Sequence, residues 1–238
     1  MRRRYLIQGS KNNNIVYYTT TDNNIINVSM GAFNVVILSN IYDEMGIITC
    51  KGNIKVINDY AFRGCRNLTS MVIPNNVTSI GDGTFDSCSN LTSIEIPNSV
   101  ASIGDGTFST CSNLTSIEIP NSVTSIGGSM FVSCISLTSV VIPNSVTSIG
   151  ERAFYYCSSL TSIEIPNSVT RIESYAFEFC TNLTSVYVKS TTPPSLGSDP
   201  FLPNASNRKI YVPRASLDAY KTASGWSEYA SAIEPYDY

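Results

Sequence analysis

The stretch that decides the fold is Cys88-Ser-Asn-Leu-Thr-Ser-Ile-Glu-Ile-Pro-Asn-Ser-Val-Ala-Ser-Ile-Gly-Asp-Gly-Thr107. It returns from Cys111 as Cys-Ser-Asn-Leu-Thr-Ser-Ile-Glu-Ile-Pro-Asn-Ser-Val-Thr-Ser-Ile-Gly, 23 residues later. Working outward, Phe62, Phe85, Phe108, Phe131, Phe154 and Phe177 keep the interval, and so do Cys65, Cys88, Cys111, Cys134, Cys157 and Cys180. A fixed period of this size over six units marks a solenoid in which each unit is one supersecondary element. A single unit cannot bury its own apolar face, so stability has to come from contacts between neighbours.

Within a unit, Leu91, Ile94 and Ile96 read as the inward residues of a leucine-rich-repeat strand, with Ser93 and Glu95 pointing out. Pro97 cannot donate to a ladder and ends that strand. Val100 and Ile103 mark a second short extended segment, and Gly104-Asp105-Gly106 a tight turn where φ is positive. Phe108 and Cys111, three apart, fit one helical turn facing the core. The fold class expected is a right-handed leucine-rich repeat solenoid, with parallel β-strands, short helical or 3-10 turns, 23-residue repeats and β-rich caps.

Three regions follow. Residues 1–53 lie outside the repeat and read as an N-terminal β-rich cap, with a hairpin at Asp22-Asn23-Asn24 between Asn14–Thr21 and Ile25–Ser29. Val35–Leu38 and Ile47–Cys50 read as further strands. Residues 54–190 hold the six units. Residues 191–238 hold an irregular last repeat, with Phe201 as its Phe and Ile210–Pro213 as its strand, and a C-terminal cap. There a short helix near Ala215–Ala223 stops at Ser224-Gly225, and Trp226 and Tyr229 are expected to lie over the last coil.

Composition narrows function. Of 238 residues, 14% are charged and the net charge is −3, so there is no basic stripe of the kind nucleic acid requires. Arg2, Arg3 and Arg4 are the one basic cluster and read as solvated. The first residues carry no apolar stretch of the sort an export signal has, so the chain is expected to stay inside or to belong to a longer protein. No apolar run reaches the ~18–20 residues of a membrane span. The absence of histidine removes Ser/His/Asp and Cys/His nucleophilic systems.

The residue patterns that suggest chemistry read better as structure. The six cysteines lack the close pairs of zinc motifs, and stacked coils give them parallel side-chain vectors, poor for disulfides. They are expected to be reduced, buried and hydrophobic in role. Asn67, Asn90, Asn113 and Asn182, each followed by Leu-Thr, match the glycosylation pattern but arise from the repeat. Asp82 and Asp105 in Gly-Asp-Gly do not extend into a calcium spine, because later units place Gly128, Glu151 and Ser174 there. Glu95, Glu118 and Glu164 share an outward column on an open face that implies no pocket.

The informative positions are those where the copies disagree. One column runs Arg63, Asp86, Ser109, Val132, Tyr155, Glu178, and the next Gly64, Ser87, Thr110, Ser133, Tyr156, Phe179. A third, ahead of Phe, runs Gly83, Gly106, Ser129, Arg152, Tyr175. Small polar residues give way to aromatics toward the C-terminal coils. Tyr155, Tyr156, Tyr175, Phe179 and outward Tyr187 are therefore the candidate protein-binding residues, aromatics being favoured at interfaces.

With the unit written Cys-x-x-Leu-Thr-Ser-Ile-x-Ile-Pro-Asn-Ser-Val-Thr-Ser-Ile-Gly-x-x-x-Phe, the chain resembles the BspA-type leucine-rich repeat family from Ile54 to Val188. Pro193-Pro194, Ile210-Tyr-Val-Pro and Gly225-Trp226 resemble the closing segment of Bacteroides members. The resemblance implies surface or secreted bacterial proteins, several of them adhesins for host matrix or plasma proteins, with no catalysis and no cofactor. It carries over no ligand-binding residues. The function expected is a non-enzymatic, extracellular or cell-surface protein-binding module. The alternatives are a structural spacer that displays another domain, and a glycan-binding surface protein.

Overall fold

The computed structural model describes residues 13–237 except Met30 and Glu44, so the Arg2–Arg4 cluster lies outside it. The chain opens with β1 (Ile15–Thr20), β2 (Val36–Asp43) and β3 (Met45–Lys51). Each coil then contributes one short strand and one longer strand. The short ones are β4 (Val56–Ile57), β6 (Ser79–Ile80), β8 (Ser102–Ile103), β10 (Ser125–Ile126), β12 (Ser148–Ile149), β14 (Arg171–Ile172) and β16 (Ser195–Leu196). The longer ones are β5 (Leu68–Val72), β7 (Ser93–Glu95), β9 (Ser116–Glu118), β11 (Ser139–Val141), β13 (Ser162–Ile165), β15 (Ser185–Val188) and β17 (Lys209–Pro213). A helix α1 (Leu217–Thr222) and a last strand β18 (Ile233–Tyr236) close the chain. The result is a parallel β-solenoid of about eight turns.

Coil stacks on coil in register, as in Ile163↔Val186 and Ile126↔Ile149, so each side chain meets its own copy. The six phenylalanines and Phe201 form one buried column with neighbouring ring centroids 5.1–5.6 Å apart. Phe33 closes it edge-on at one end, and Trp226 and Tyr229 lie against Phe201 at the other. Trp226 Nε1 donates to the Pro194 carbonyl at 2.7 Å, so its one polar atom is satisfied in burial.

The segment around Phe and Cys uses the i→i+3 hydrogen bonds of a 3-10 turn without continuing as a helix. Ser109 N–H donates to Gly106 and Cys111 N–H to Phe108, but Gly106 and Thr110 have positive φ. Left-handed residues flank each Phe from Phe62 to Phe177, so no run of right-handed residues is long enough to propagate. The intervening N–H groups bond the next coil instead: Gly106, Phe108 and Thr110 donate to Gly128, Met130 and Val132 at 2.9, 2.9 and 2.7 Å. This turn edge is a third stacked ladder.

The scarcity of charge also finds its reason. The repeated hydroxyls donate one coil back, as Thr147 does to Thr124 and Ser145 to Val123. A Ser/Thr surface thus binds coil to coil.

One expectation is corrected. Residues 24–29 form no strand, and there is no hairpin about Asn23. β1 pairs instead with β3 and, antiparallel, with β5, so it covers the exposed edge of the first long strand. A local turn signal specifies that the chain reverses, whereas the open edge of β5 decides what β1 pairs with. The strands expected near Val35 and Ile47 are present, as the β2–β3 hairpin.

Candidate functional site

The two left-handed positions of each coil place their side chains on the turn edge. Two residues after Phe, the column reads Gly64, Ser87, Thr110, Ser133, Tyr156, Phe179, with φ between 57° and 71°. Two residues before Phe it reads Tyr60, Gly83, Gly106, Ser129, Arg152, Tyr175, with φ between 53° and 61°. The backbone is the same in every copy and suits glycine, yet the C-terminal coils carry bulky side chains there. A non-glycine residue in this conformation costs roughly 1–2 kcal/mol.

Three of the candidates come together. Tyr155 and Phe179 meet edge-to-face at 5.4 Å, Tyr156 and Phe179 lie 5.3 Å apart, and Tyr155 and Tyr156 lie 5.8 Å apart. The rings pack on one another, leaving no cage for a cation between them. Tyr156 is 47% exposed although it sits in the cluster. Tyr175, on the neighbouring column, lies under the Arg152 guanidinium at 4.9 Å.

Sequence reading missed two exposed apolar residues in the neighbouring coils. Ile135, 44% exposed, follows Ser133 in the preceding coil, and Leu202, 41% exposed, lies in the following coil. There Phe179 N–H bonds the Pro203 carbonyl. In the early coils the positions equivalent to Ile135 are Arg66, Ser89 and Ser112. Aligning that column would have found Ile135, but Leu202 sits in the irregular coil where alignment gives no register.

Tyr187 does not join the cluster. It projects from β15 on the outward face of the long strands, stacked on Tyr211 at 4.8 Å, with Tyr236 edge-on at 5.4 Å. Glu164, beside it on β13, pairs with Lys189 at 2.6 Å. The same outward row runs Tyr17, Val72, Glu95 at the other end. Glu95 and Glu118 straddle a place where β7 and β9 are not paired.

The acidic turn residues have structural partners. Asp82 Oδ1 accepts from Asp105 N–H at 2.8 Å, and Asp105 Oδ1 from Gly128 N–H at 2.7 Å, each carboxylate capping the next coil. Asn90 Nδ2 donates to the Arg66 carbonyl, also across a coil boundary.

A family model described as BspA type leucine rich repeat region matches six copies over residues 41–161 and 125–221. The chain belongs to the BspA-type leucine-rich repeat family. Among solved structures, this BspA-type chain is similar to a leucine-rich repeat protein of T. pallidum. The two are 32% identical over 72% of this chain and 78% of that one, with a TM-score of 0.61. A leucine-rich cell surface protein of Faecalibacterium prausnitzii is 28% identical, over 67% and 58% of the two chains, with a TM-score of 0.45. A leucine-rich repeat protein of Bacteroides ovatus is 21% identical, over 94% and 75%, also at 0.45. No curated protein matches the chain.

Proposed function

We propose that this BspA-type chain is a non-enzymatic protein-binding module of a cell surface or secreted protein, an adhesin whose partner docks on the turn edge of the C-terminal coils. The observation that supports this reading is Tyr156 and Phe179 at backbone positions where Gly64 would fit without strain. The solenoid does not need aromatic side chains there to close its coils. Clustered with Tyr155, and with exposed Ile135 and Leu202 in the coils before and after, they set aromatic rings on an otherwise Ser/Thr-rich surface, the residue type favoured at interface centres. The extracellular setting rests on the family.

The test is saturable binding to immobilised host matrix and plasma proteins, comparing wild type with Tyr155→Ser/Tyr156→Ser. Binding lost in the variant at unchanged melting temperature supports the adhesin. No binding by the wild type favours the spacer. Binding only to oligosaccharides, lost on changing Tyr187 or Tyr155, favours the glycan reader.

A further inference from the structure

Strand ladders bind neighbouring coils on two sides, and at one boundary among the described residues both ladders are missing. Between the coil of Phe108, which holds β7 and β8, and the coil of Phe131, which holds β9 and β10, neither the long nor the short strands pair. No backbone hydrogen bond joins residues 92–97 to 115–120, or 101–104 to 124–127. Gly104 N–H bonds Ile80 and Gly150 N–H bonds Ile126, but Gly127 has no such bond to Ile103. The backbones also stand further apart there. A Cβ on Gly104 or Gly150 would come within 2.5 and 2.7 Å of main chain in the preceding coil, whereas one on Gly127 would come no nearer than 3.3 Å. Ile103 is 7% exposed where Ile80 and Ile126 are 1%. A cavity of about 800 Å³ opens over β7, bounded by Ile94, Pro97, Glu118 and Pro120. β11 and β13 are also unpaired, but their coils keep the β12–β14 ladder and the bond from Thr170 N–H to Thr147.

We propose that this boundary is a hinge, about which the C-terminal coils turn as one body, with the turn edge as axis and the opposite corner as latch. On the axis side the two coils are fully tied. Gly106, Phe108 and Thr110 donate across the boundary, Gly128 N–H bonds Asp105 Oδ1, and Phe108 and Phe131 stay stacked at 5.6 Å. Beside the axis, Asn113 N–H keeps its bond to the Ser89 carbonyl at 3.2 Å. At the opposite corner, beyond Pro97 and Pro120, one bond remains, from the Ser122 hydroxyl to the Val100 carbonyl. Turning about the axis breaks that bond and no ladder, whereas opening the boundary between β13 and β15 would break four residues of strand pairing. The outward residues supply a reason. Here two carboxylates, Glu95 and Glu118, hold equivalent positions on neighbouring coils, and like charges opposed across strands disfavour pairing. The paired boundaries on either side oppose Val72 to Glu95 and Glu118 to Val141. The motion widens the cavity over Ile94 and re-aims the C-terminal coils, with their turn-edge aromatics, against β1–β3.

The experiment measures distances between nitroxide labels on exposed asparagines of the latch corner, by electron paramagnetic resonance on the intact chain. Asn98→Cys/Asn144→Cys spans the hinge, and Asn121→Cys/Asn167→Cys spans as many residues on its C-terminal side, each pair two coils or about 10 Å apart. The first pair is expected to show a second, longer population and the other a single narrow one. Ser122→Ala, which removes the latch, should raise the longer population about two- to tenfold, the worth of one hydrogen bond. Glu118→Val, which repeats the paired Val72–Glu95 arrangement, should lower it. Should a labelled variant fail to fold, hydrogen exchange of the unlabelled chain gives a second readout: β9 amides exchange faster than those of β15, and Glu118→Val slows β9 alone. Equally narrow distributions for both pairs, a distribution that Ser122→Ala leaves unchanged, or β9 amides as slow as those of β15 would overturn the proposal.

Discussion

The Sγ of Cys111 donates to the backbone carbonyl of Phe85, one coil back, at 3.2 Å. The same bond recurs from Cys88 to Phe62, Cys134 to Phe108, Cys157 to Phe131 and Cys180 to Phe154. The repeated cysteine is thus a small apolar residue with one weak donor, placed where a carbonyl already serving its own turn accepts a second hydrogen.

Burial holds every thiol above its ordinary value of 9.0: Cys50 and Cys65 reach about 11, Cys134 and Cys180 about 12, and Cys88, Cys111 and Cys157 are also raised. The unfolded chain therefore releases these protons first. The stability this provides is present in full below pH 9.0 and is lost as pH rises through the folded values, by up to about 1.4 kcal/mol per pH unit per thiol. Urea melts should be flat from pH 7 to about 8.5 and fall steeply above, and Ellman's reagent should react only after denaturation. Equal stability at about pH 7 and pH 10 would contradict this.

Phe108 is fully buried between Phe85 at 5.5 Å and Phe131 at 5.6 Å. Phe108→Ala should cost about 3–5 kcal/mol, since the turn-edge bonds from Phe108 and Thr110 to Met130 and Val132 hold the next coil away from the gap. Calorimetry should show the loss, and a second transition where the chain separates at that coil.

Gly104 and Gly106 are needed for different reasons. A Cβ on Gly104 would lie 2.5 Å from Asp82 N and 2.7 Å from Gly81 C, while one on Gly106 meets nothing within 4 Å but has φ +61°. Gly104→Ala should cost about 1–3 kcal/mol through steric overlap of adjacent coils, and Gly106→Ala about 1 kcal/mol through backbone strain. Gly106→Asn, which tolerates this conformation, should restore part of the latter in denaturant melts, and no rescue is expected from Gly104→Asn.

Replacing Tyr156 or Phe179 by Gly relieves roughly 1–2 kcal/mol of backbone strain and gives up two ring contacts worth about 0.5–1.5 kcal/mol each, besides the buried ring area. The strain relief offsets part of that loss, so the melting temperature should fall only modestly while partner binding is lost. A large loss of stability would instead assign these rings to packing.

The coil could be read residue by residue from the sequence, since stacking copies exposes the same position to the same surroundings every 23 residues. Leu91, Phe108 and Cys111 are buried as their spacing requires. The candidate site was legible only where copies align. Tyr155, Tyr156 and Phe179 meet because adjacent coils set their columns side by side, whereas Tyr187 belongs to a strand and points from another face.

The sequence by itself determined the solenoid and its core columns, because periodicity converts local pattern into nearest-neighbour packing. The tertiary structure decided what the pairing of β1 would be, why glycine recurs at 104, and that the turn-edge aromatics occupy left-handed backbone. Each of these depends on an approach between residues distant in the chain, and a 23-residue period says which coils are neighbours without saying how closely their backbones meet.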